Sequence, residues 1–313
     1  MDIQEVKQTL RGPMIPVITN LKDDLSVDHE AIHQNVRYVV DHGIVKGSGV
    51  LLAAGAGGDF PMLALDERKA VAKTIFDAAD GQAPVLVGSQ DTNVDNCIAM
   101  AKWADEIGAY GIQVSPPFYF GPSDDDVVNV FRAIHDATER VALMVYNTWW
   151  EGTDMSLELL ERVFELPRCV SLKWSTATLF GRYLRGLAKF ADRLAVVDNH
   201  GMHVMNRMMG GTGYITHLAT VWPEHDLGVW ALLEAGEYEA AQKKIQDVNW
   251  HWYDFRVKMA GRTGGESATI KAALELCGRP GGPARLPSRA LTADERAELR
   301  DVLVEIGVPT VQA

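Results

Sequence analysis

The feature that most constrains this chain is an alternation. Short apolar runs recur at residues 14–19, 49–54, 84–88, 111–114, 141–147, around 169–173, 194–197 and 213–216. Between them lie stretches of helical spacing at 26–42, 65–79, 93–107, 124–138, 157–166, 179–190 and 202–209. In the first, Ile32, Val36, Val39 and Val40 fall on one side, with Ser26 as the expected N-cap and Gly43 as the stop. Strands alternating with helices imply parallel βαβ units, and eight of them fit a closed barrel better than an open doubly wound sheet. The expected fold is therefore α/β, a (β/α)8 TIM barrel. Residues 1–223 carry its strands, and 224–313 supply the last barrel helix and a small C-terminal helical cap, with turns at 261–265 and 278–283.

Composition excludes several function classes. The 313 residues are 47% hydrophobic and 23% charged, as in ordinary globular proteins. No run of about 18 apolar residues is present, so no membrane span is expected. The start, Met1-Asp2-Ile3-Gln4-Glu5, carries acid where a signal peptide carries base. The net charge of -12 argues against a nucleic-acid surface. Cys97, Cys169 and Cys277 are odd in number and far apart, which fits neither a disulfide framework nor a metal site. A cytoplasmic protein without a metal or organic cofactor is expected.

One residue stands out of its run. Lys173 lies in Val170-Ser171-Leu172-Lys173-Trp174-Ser175, where burial disfavours the charged amine. A strand-end lysine can snorkel or pair with a carboxylate. It can also attack a carbonyl and form a Schiff base. In a βα barrel the strand C-termini face the active site. That rule gathers Thr19, the turn 55–59, Tyr119, Tyr146, Asn147, Lys173, Asp198, His200 and Ile215 into one mouth. There an amine condenses with a ketone, a phenol carries protons, and a glycine-rich turn offers N–H groups to a carboxylate.

Taken in order, these pieces resemble the dihydrodipicolinate synthase / N-acetylneuraminate lyase family of class I aldolases. Gly55-Ala56-Gly57-Gly58-Asp59 with Leu65-Asp66-Glu67-Arg68 resembles that family's glycine-threonine-threonine-glycine-glutamate turn and the helix after it. Pro117-Phe118-Tyr119, Tyr146-Asn147, Leu172-Lys173 and Gly210-Gly211-Thr212-Gly213-Tyr214-Ile215-Thr216 match its later motifs, and the similarity runs to Arg285-Leu286-Pro287. The resemblance implies Lys173 as the Schiff-base nucleophile and Tyr146 as the proton-transfer group. It implies that Tyr119 reaches a neighbouring subunit's site in a homodimer or homotetramer. The turn at Ala56 and Gly57, with the backbone near Ile215, would hold the carboxylate of a 2-oxo acid, and Asn147 would lie beside it.

The departures carry information too. Both turn threonines are absent, and with them a hydroxyl of the proton relay. Asp59 replaces a glutamate and reads as an acid that stabilises the turn. Glu151 stands where the synthase branch has an arginine that grips a second carboxylate, and it follows Trp149 and Trp150. Asn199 and His200 stand where that branch has two aspartates. Trp149, Glu151 and His200 are therefore candidates for contacts with the distal part of the substrate. The resemblance implies a Schiff-base lyase that makes or breaks a carbon–carbon bond of a 2-oxo acid, with pyruvate on one side, and not a dihydrodipicolinate synthase. Dehydration of a 2-oxo-3-deoxy sugar acid by the same imine is the alternative. The missing threonines motivate a third reading, a non-catalytic relative that binds a 2-oxo acid.

Overall fold

The computed structural model describes residues 1–150, 152–309 and 311. Eight parallel strands close into a barrel in chain order: β1 (Gly12–Pro16), β2 (Val50–Ala53), β3 (Val85–Gly88), β4 (Gly111–Val114), β5 (Ala142–Asn147), β6 (Cys169–Trp174), β7 (Ala195–Asp198) and β8 (Gly213–Ile215). β8 closes on β1, with Met14 opposite Ile215. Every residue of β2 to β7 is buried. Strands covered on both faces have no solvent side to alternate with, which is why they read as continuous apolar runs. The chain is thus a (β/α)8 TIM barrel with a C-terminal helical extension.

The helices begin where side chains can satisfy their first N–H groups. Asp28 accepts from Ala31 N, Ser123 forms a capping box with Asp126, and Ser156 accepts from Leu159 N. At the first barrel helix, His29–Asp41, the cap is Asp28 and not the expected Ser26, whose hydroxyl bonds Asp24 instead. The carboxylate stands directly before the helix and reaches its free N–H more easily than a hydroxyl two residues upstream.

Two apolar layers position the site. One lies between barrel and helices. The other fills the barrel's N-terminal half with Met14, Leu52, Leu86, Ala142, Met144 and Val197, the larger of them each worth about 1–3 kcal/mol in removed apolar surface. A short helix, Ile3–Thr9, closes that lower end with Val6 and is followed by Leu10 in the same cluster. The lower half of the barrel is therefore filled with side chains.

The C-terminal extension begins with Pro223–Ala235, the last barrel helix, and continues with Tyr238–Lys244, Trp250–Thr263, Ser267–Leu276 and Ala293–Glu305. A third apolar cluster joins it to the mouth side of the barrel, where Trp252, Phe255, Ile270 and Leu274 pack with Ile18, Leu218 and Val221. Arg285 adds a two-pronged ion pair to Glu67, at 2.9 and 3.0 Å. A fork-to-carboxylate pair of this kind fixes direction as well as distance. It ties the extension to the helix that follows the glycine-rich turn.

Candidate active site

Tyr146 continues the inward parity of Ala142 and Met144, so its side chain enters the barrel above the packed lower layer. Its partner across the sheet is Lys173. That pairing depends on one irregularity. Leu143 lies opposite Cys169, but the next residue, Met144, lies opposite Ser171. The extra residue in β6 is Val170, a β-bulge. Without it Tyr146 would face Leu172, whose side chain belongs to the outer layer. Bulges re-aim side chains, and this one turns Lys173 inward. The Lys173 Nζ lies 4.0 Å from the centroid of the Tyr146 ring. The two residues are only 5% and 3% exposed, so chemistry between them is shielded from bulk water.

Above β2 the chain makes a tight 3-10 turn, Ala56–Gly58, bracketed by two non-glycine residues in the left-handed region, Ala54 at φ 51° and Asp59 at φ 59°. Such conformations persist only where surroundings enforce them. Here Thr19 Oγ1 donates to Gly58 O at 2.7 Å. A Cβ on Gly58 would stand 2.7 Å from Val17 O, so only glycine lets the turn lie this close to β1. Gly58, Asp59 and Phe60 donate their N–H groups within the turn. The N–H groups of Ala56 and Gly57 come at the start of a helical turn, where intrahelical bonding leaves donors over. The buried Asp59 accepts an ion pair from Lys271 Nζ at 3.2 Å, and Lys271 also donates to Pro283 O. The turn is therefore clamped from the C-terminal extension.

The opposite rim is built on two acids, the fully buried Asp198 and the partly buried Asp154. Asp198, at the end of β7, accepts from Tyr183 Oη at 2.5 Å, from the His200 N–H at 2.9 Å, and pairs with His203 Nδ1 at 2.6 Å. Burial by itself raises the Asp198 carboxyl. The bonds from His203, Tyr183 and His200 outweigh it and hold the group below the ordinary carboxylate value. Burial and the same carboxylate push the Tyr183 phenol well above its usual range, so it stays a donor. His200 stacks on Tyr183 and lies 3.3 Å from Ser175 Oγ, half-buried at the rim. Asp154 gathers Asn147, Thr176 and Arg182 at 2.9, 3.0 and 2.6 Å. Asn147 also donates to Ser175 O and accepts from Met155 N. With both ends of its amide engaged, Asn147 orders the loop after β5.

The expected residues divide accordingly. Tyr146 and Lys173 are cross-strand neighbours, Gly57 lies against Pro16 and His217, and Ile215 pairs with Met14 on β1. Tyr119 does not enter the mouth: the side chain is 77% exposed and meets Phe120 edge to face. Trp149 and Trp150 are about half exposed and also pack edge to face on each other. Glu151 lies outside the described residues.

One group at the mouth was not singled out from the sequence. His217 follows β8, is 8% exposed, and fills the space over Gly57, where a Cβ would lie 3.0 Å from its Nε2. That Nε2 lies 3.4 Å from Glu266 Oε2 but makes no well-aligned hydrogen bond. Arg256 Nη1 holds the other Glu266 oxygen at 2.8 Å. Burial pushes the imidazole below 6.5, Arg256 and Lys173 push the same way, and Glu266 opposes them. The only sequence signal was a histidine two residues past the end of a barrel strand.

Among the described residues no group of three or more His, Cys, Asp and Glu is placed to hold a metal ion. A shielded lysine and tyrosine side by side at the C-terminal end of the barrel strands is an arrangement that suits a lyase of the class I aldolase type. The model of the dihydrodipicolinate synthetase family matches residues 9–306, and the chain belongs to that family. It is 28% identical over 301 residues to an uncharacterized DapA-like lyase from Halobacterium salinarum, covering 96% of this chain and 95% of the relative. It is 29% identical over 306 residues to a 4-hydroxy-tetrahydrodipicolinate synthase from Halorhodospira halophila, covering 95% and 97%. Among solved structures, the Acinetobacter baumannii dihydrodipicolinate synthase complexed with pyruvate matches with a TM-score of 0.87 at 22% identity, covering 96% of this chain and all of that one. A Clostridium difficile protein solved with mannosamine matches at 0.83 and 19% identity, covering 95% and 99%. At such identities the structural likeness speaks for the fold.

Proposed function

We propose that Lys173 forms an imine with a 2-oxo acid, pyruvate being the favoured one, and that the enzyme makes or breaks the carbon–carbon bond next to it. The observation that carries this reading is the Lys173 amine set 4.0 Å from the Tyr146 ring, both shielded from solvent. The neutral amine attacks the C2 carbonyl, and the carbinolamine loses water to give an iminium. In the cleavage direction the hydroxyl on C4 loses its proton and the C3–C4 electron pair flows into the iminium. An aldehyde leaves, the enamine takes a proton at C3, and hydrolysis frees the 2-oxo acid and the lysine. Tyr146 transfers protons in forming the imine and at the C4 hydroxyl. The Ala56 and Gly57 N–H groups and the backbone near Ile215 receive the carboxylate. The iminium is itself the electron sink, so the reaction needs neither metal nor organic cofactor. Loss of water from a deoxy sugar acid would use the same imine.

The distal pocket does not select a second carboxylate in this reading, and the enzyme is not a dihydrodipicolinate synthase. Glu151 would repel an acidic group where an arginine would grip it, and the neighbouring Trp149 and Trp150 offer aromatic surface. A hydroxylated, neutral or amine-bearing partner fits better, with His200 at the rim. The exposed Tyr119–Phe120 pair is the surface we assign to the contact of a homodimer or homotetramer. A cytoplasmic setting suits the buried thiols of Cys97 and Cys169. The test is borohydride reduction in the presence of pyruvate and other 2-oxo acids, followed by peptide mapping. A reduced adduct on Lys173 is expected. No adduct with any of them, or one that persists in Lys173→Ala, refutes the reading.

A further inference from the structure

Three observations converge on His217. Its ring occupies the volume that a side chain at position 57 would fill: a Cβ there would meet His217 Nε2 and Pro16 Cβ, each at 3.0 Å. Its Nε2 is buried and meets only Glu266 Oε2, at 3.4 Å and without good hydrogen-bond alignment, among the described residues. Its charged surroundings come from three separate elements. Lys173 lies on β6, Arg256 on the helix Trp250–Thr263, and Glu266 just before the helix Ser267–Leu276. The fourth neighbour, the turn over which it packs, is neutral at Ala56, Gly57 and Gly58, and the one acid there, Asp59, is tied to Lys271.

A histidine that merely filled space would be an expensive choice. An apolar side chain would pack over Gly57 without leaving a buried ring nitrogen short of a partner, which destabilises the fold. The arrangement makes sense if that nitrogen has a transient partner. Glu266 stands 3.4 Å from Nε2, close enough to stabilise an imidazolium once it forms, and Arg256 keeps Glu266 in place and ionised. The ring's surroundings favour the neutral form at rest, so its lone pair is available to take a proton.

We propose that His217 is a proton-carrying catalytic residue of this site, moving the proton at the carbon next to the imine, with Glu266 and Arg256 of the C-terminal extension as its positioning residues. The inference rests on the imine reading above. In the step assigned to it, neutral His217 takes a proton from C3 of the Lys173 iminium. The C3–H electron pair becomes the enamine double bond, and the imidazolium pairs with Glu266. The reverse step returns the proton to C3, so nothing is oxidised and no co-reactant is consumed. The glycine-rich turn carries no side-chain acid or base that reaches the mouth, and the imidazole packed over Gly57 supplies one.

The experiment needs no knowledge of the aldehyde partner. Full-length protein is incubated with pyruvate in deuterated buffer, and loss of the methyl proton signal is followed by NMR. The fraction of Lys173 trapped by borohydride is measured in parallel. His217→Gln and His217→Ala are expected to trap as much adduct as the wild type while exchanging the methyl protons about 100-fold more slowly, the scale of a lost general base. Added imidazole should restore part of the exchange in His217→Ala. Glu266→Gln should move the acid limb of the exchange profile to lower pH, because the carboxylate is what holds the imidazole's affinity for protons up. Normal trapping with wild-type exchange in the His217 variants overturns the assignment to His217 alone. Loss of trapping in both variants also overturns it, since the residue then builds the site and moves no proton. Absence of adduct in the wild type overturns the imine reading and this one together.

Discussion

The clamp on the glycine-rich turn makes a quantitative prediction. Asp59 and Lys271 are 6% and 2% exposed, and Lys271 Nζ lies 3.2 Å from Asp59 Oδ2. At an effective dielectric of about 20, two unit charges at 3.2 Å attract by roughly 5 kcal/mol. Desolvating the two ions costs a similar amount, so the intact pair adds little net stability. Removing one partner is different, because the survivor keeps its desolvation cost and loses its attraction. Lys271→Met is therefore expected to destabilise the fold by about 3–5 kcal/mol. At about 2 °C per kcal/mol, the low end for large domains, Tm falls by roughly 6–10 °C. Asp59→Asn should do the same, since asparagine tolerates the left-handed backbone but leaves the ammonium unpaired. The double variant contains neither charge and should recover most of the loss. The turn offers the N–H groups assigned to the carboxylate, so both single variants should also raise KM for the 2-oxo acid more than they lower kcat. Thermal melts and steady-state kinetics on the four proteins complete the cycle. Single variants within about 1 kcal/mol of the wild type, or a double variant as unstable as the sum of the singles, would refute the reasoning.

Three further outcomes are expected. Gly58→Ala puts a Cβ 2.7 Å from Val17 O, and should cost about 1–3 kcal/mol in a melt while weakening binding of the 2-oxo acid. Burial pushes the Cys97 thiol up to about 11 and Cys169 up to about 12, so neither should react with a thiol reagent at neutral pH until the chain is unfolded. Burial also lowers His217 and His225 below 6.5. The unfolded chain therefore binds more protons at these sites, and stability should fall as the pH drops below 6.5 towards the folded values. Denaturant midpoints measured from about pH 7 down to 5 should slope accordingly, and His225→Asn should flatten that slope.

The fold was legible because its signal is local. Each buried strand is a continuous apolar run, and each run ends in a residue that geometry sends to the mouth. Lys173 and Tyr146 could be paired for the same reason. What set them side by side could not be read: one extra residue in β6, visible only once Leu143 is known to face Cys169 and Met144 to face Ser171. The helix Ile3–Thr9 was missed because seven residues carry less than two full turns of pattern, although Asp2 caps it and Val6 and Leu10 recur at helical spacing. The bonds of the Asn147 amide to Asp154, Ser175 and Met155 were not legible either, because they depend on how the loop after β5 folds back.

The parts hardest to read share one physical cause. Glu266 is 49 residues from His217, and Lys271 is 212 residues from Asp59, so no window of sequence contains either pair. Taken alone, each charge reads as a solvated surface residue. Both belong to one short segment, Glu266 immediately before the helix Ser267–Leu276 and Lys271 within it. That segment lies over the mouth because Ile270 and Leu274 pack into the cluster with Ile18 and Leu218. The apolar stripe of the helix sets its position, and its position decides where the two charges fall. One charge clamps the turn through Asp59 and the other faces the histidine above it. Sequence periodicity could mark the stripe as buried, but not against what. The extension that reads as a cap on the barrel is, by this packing, a wall of the candidate site.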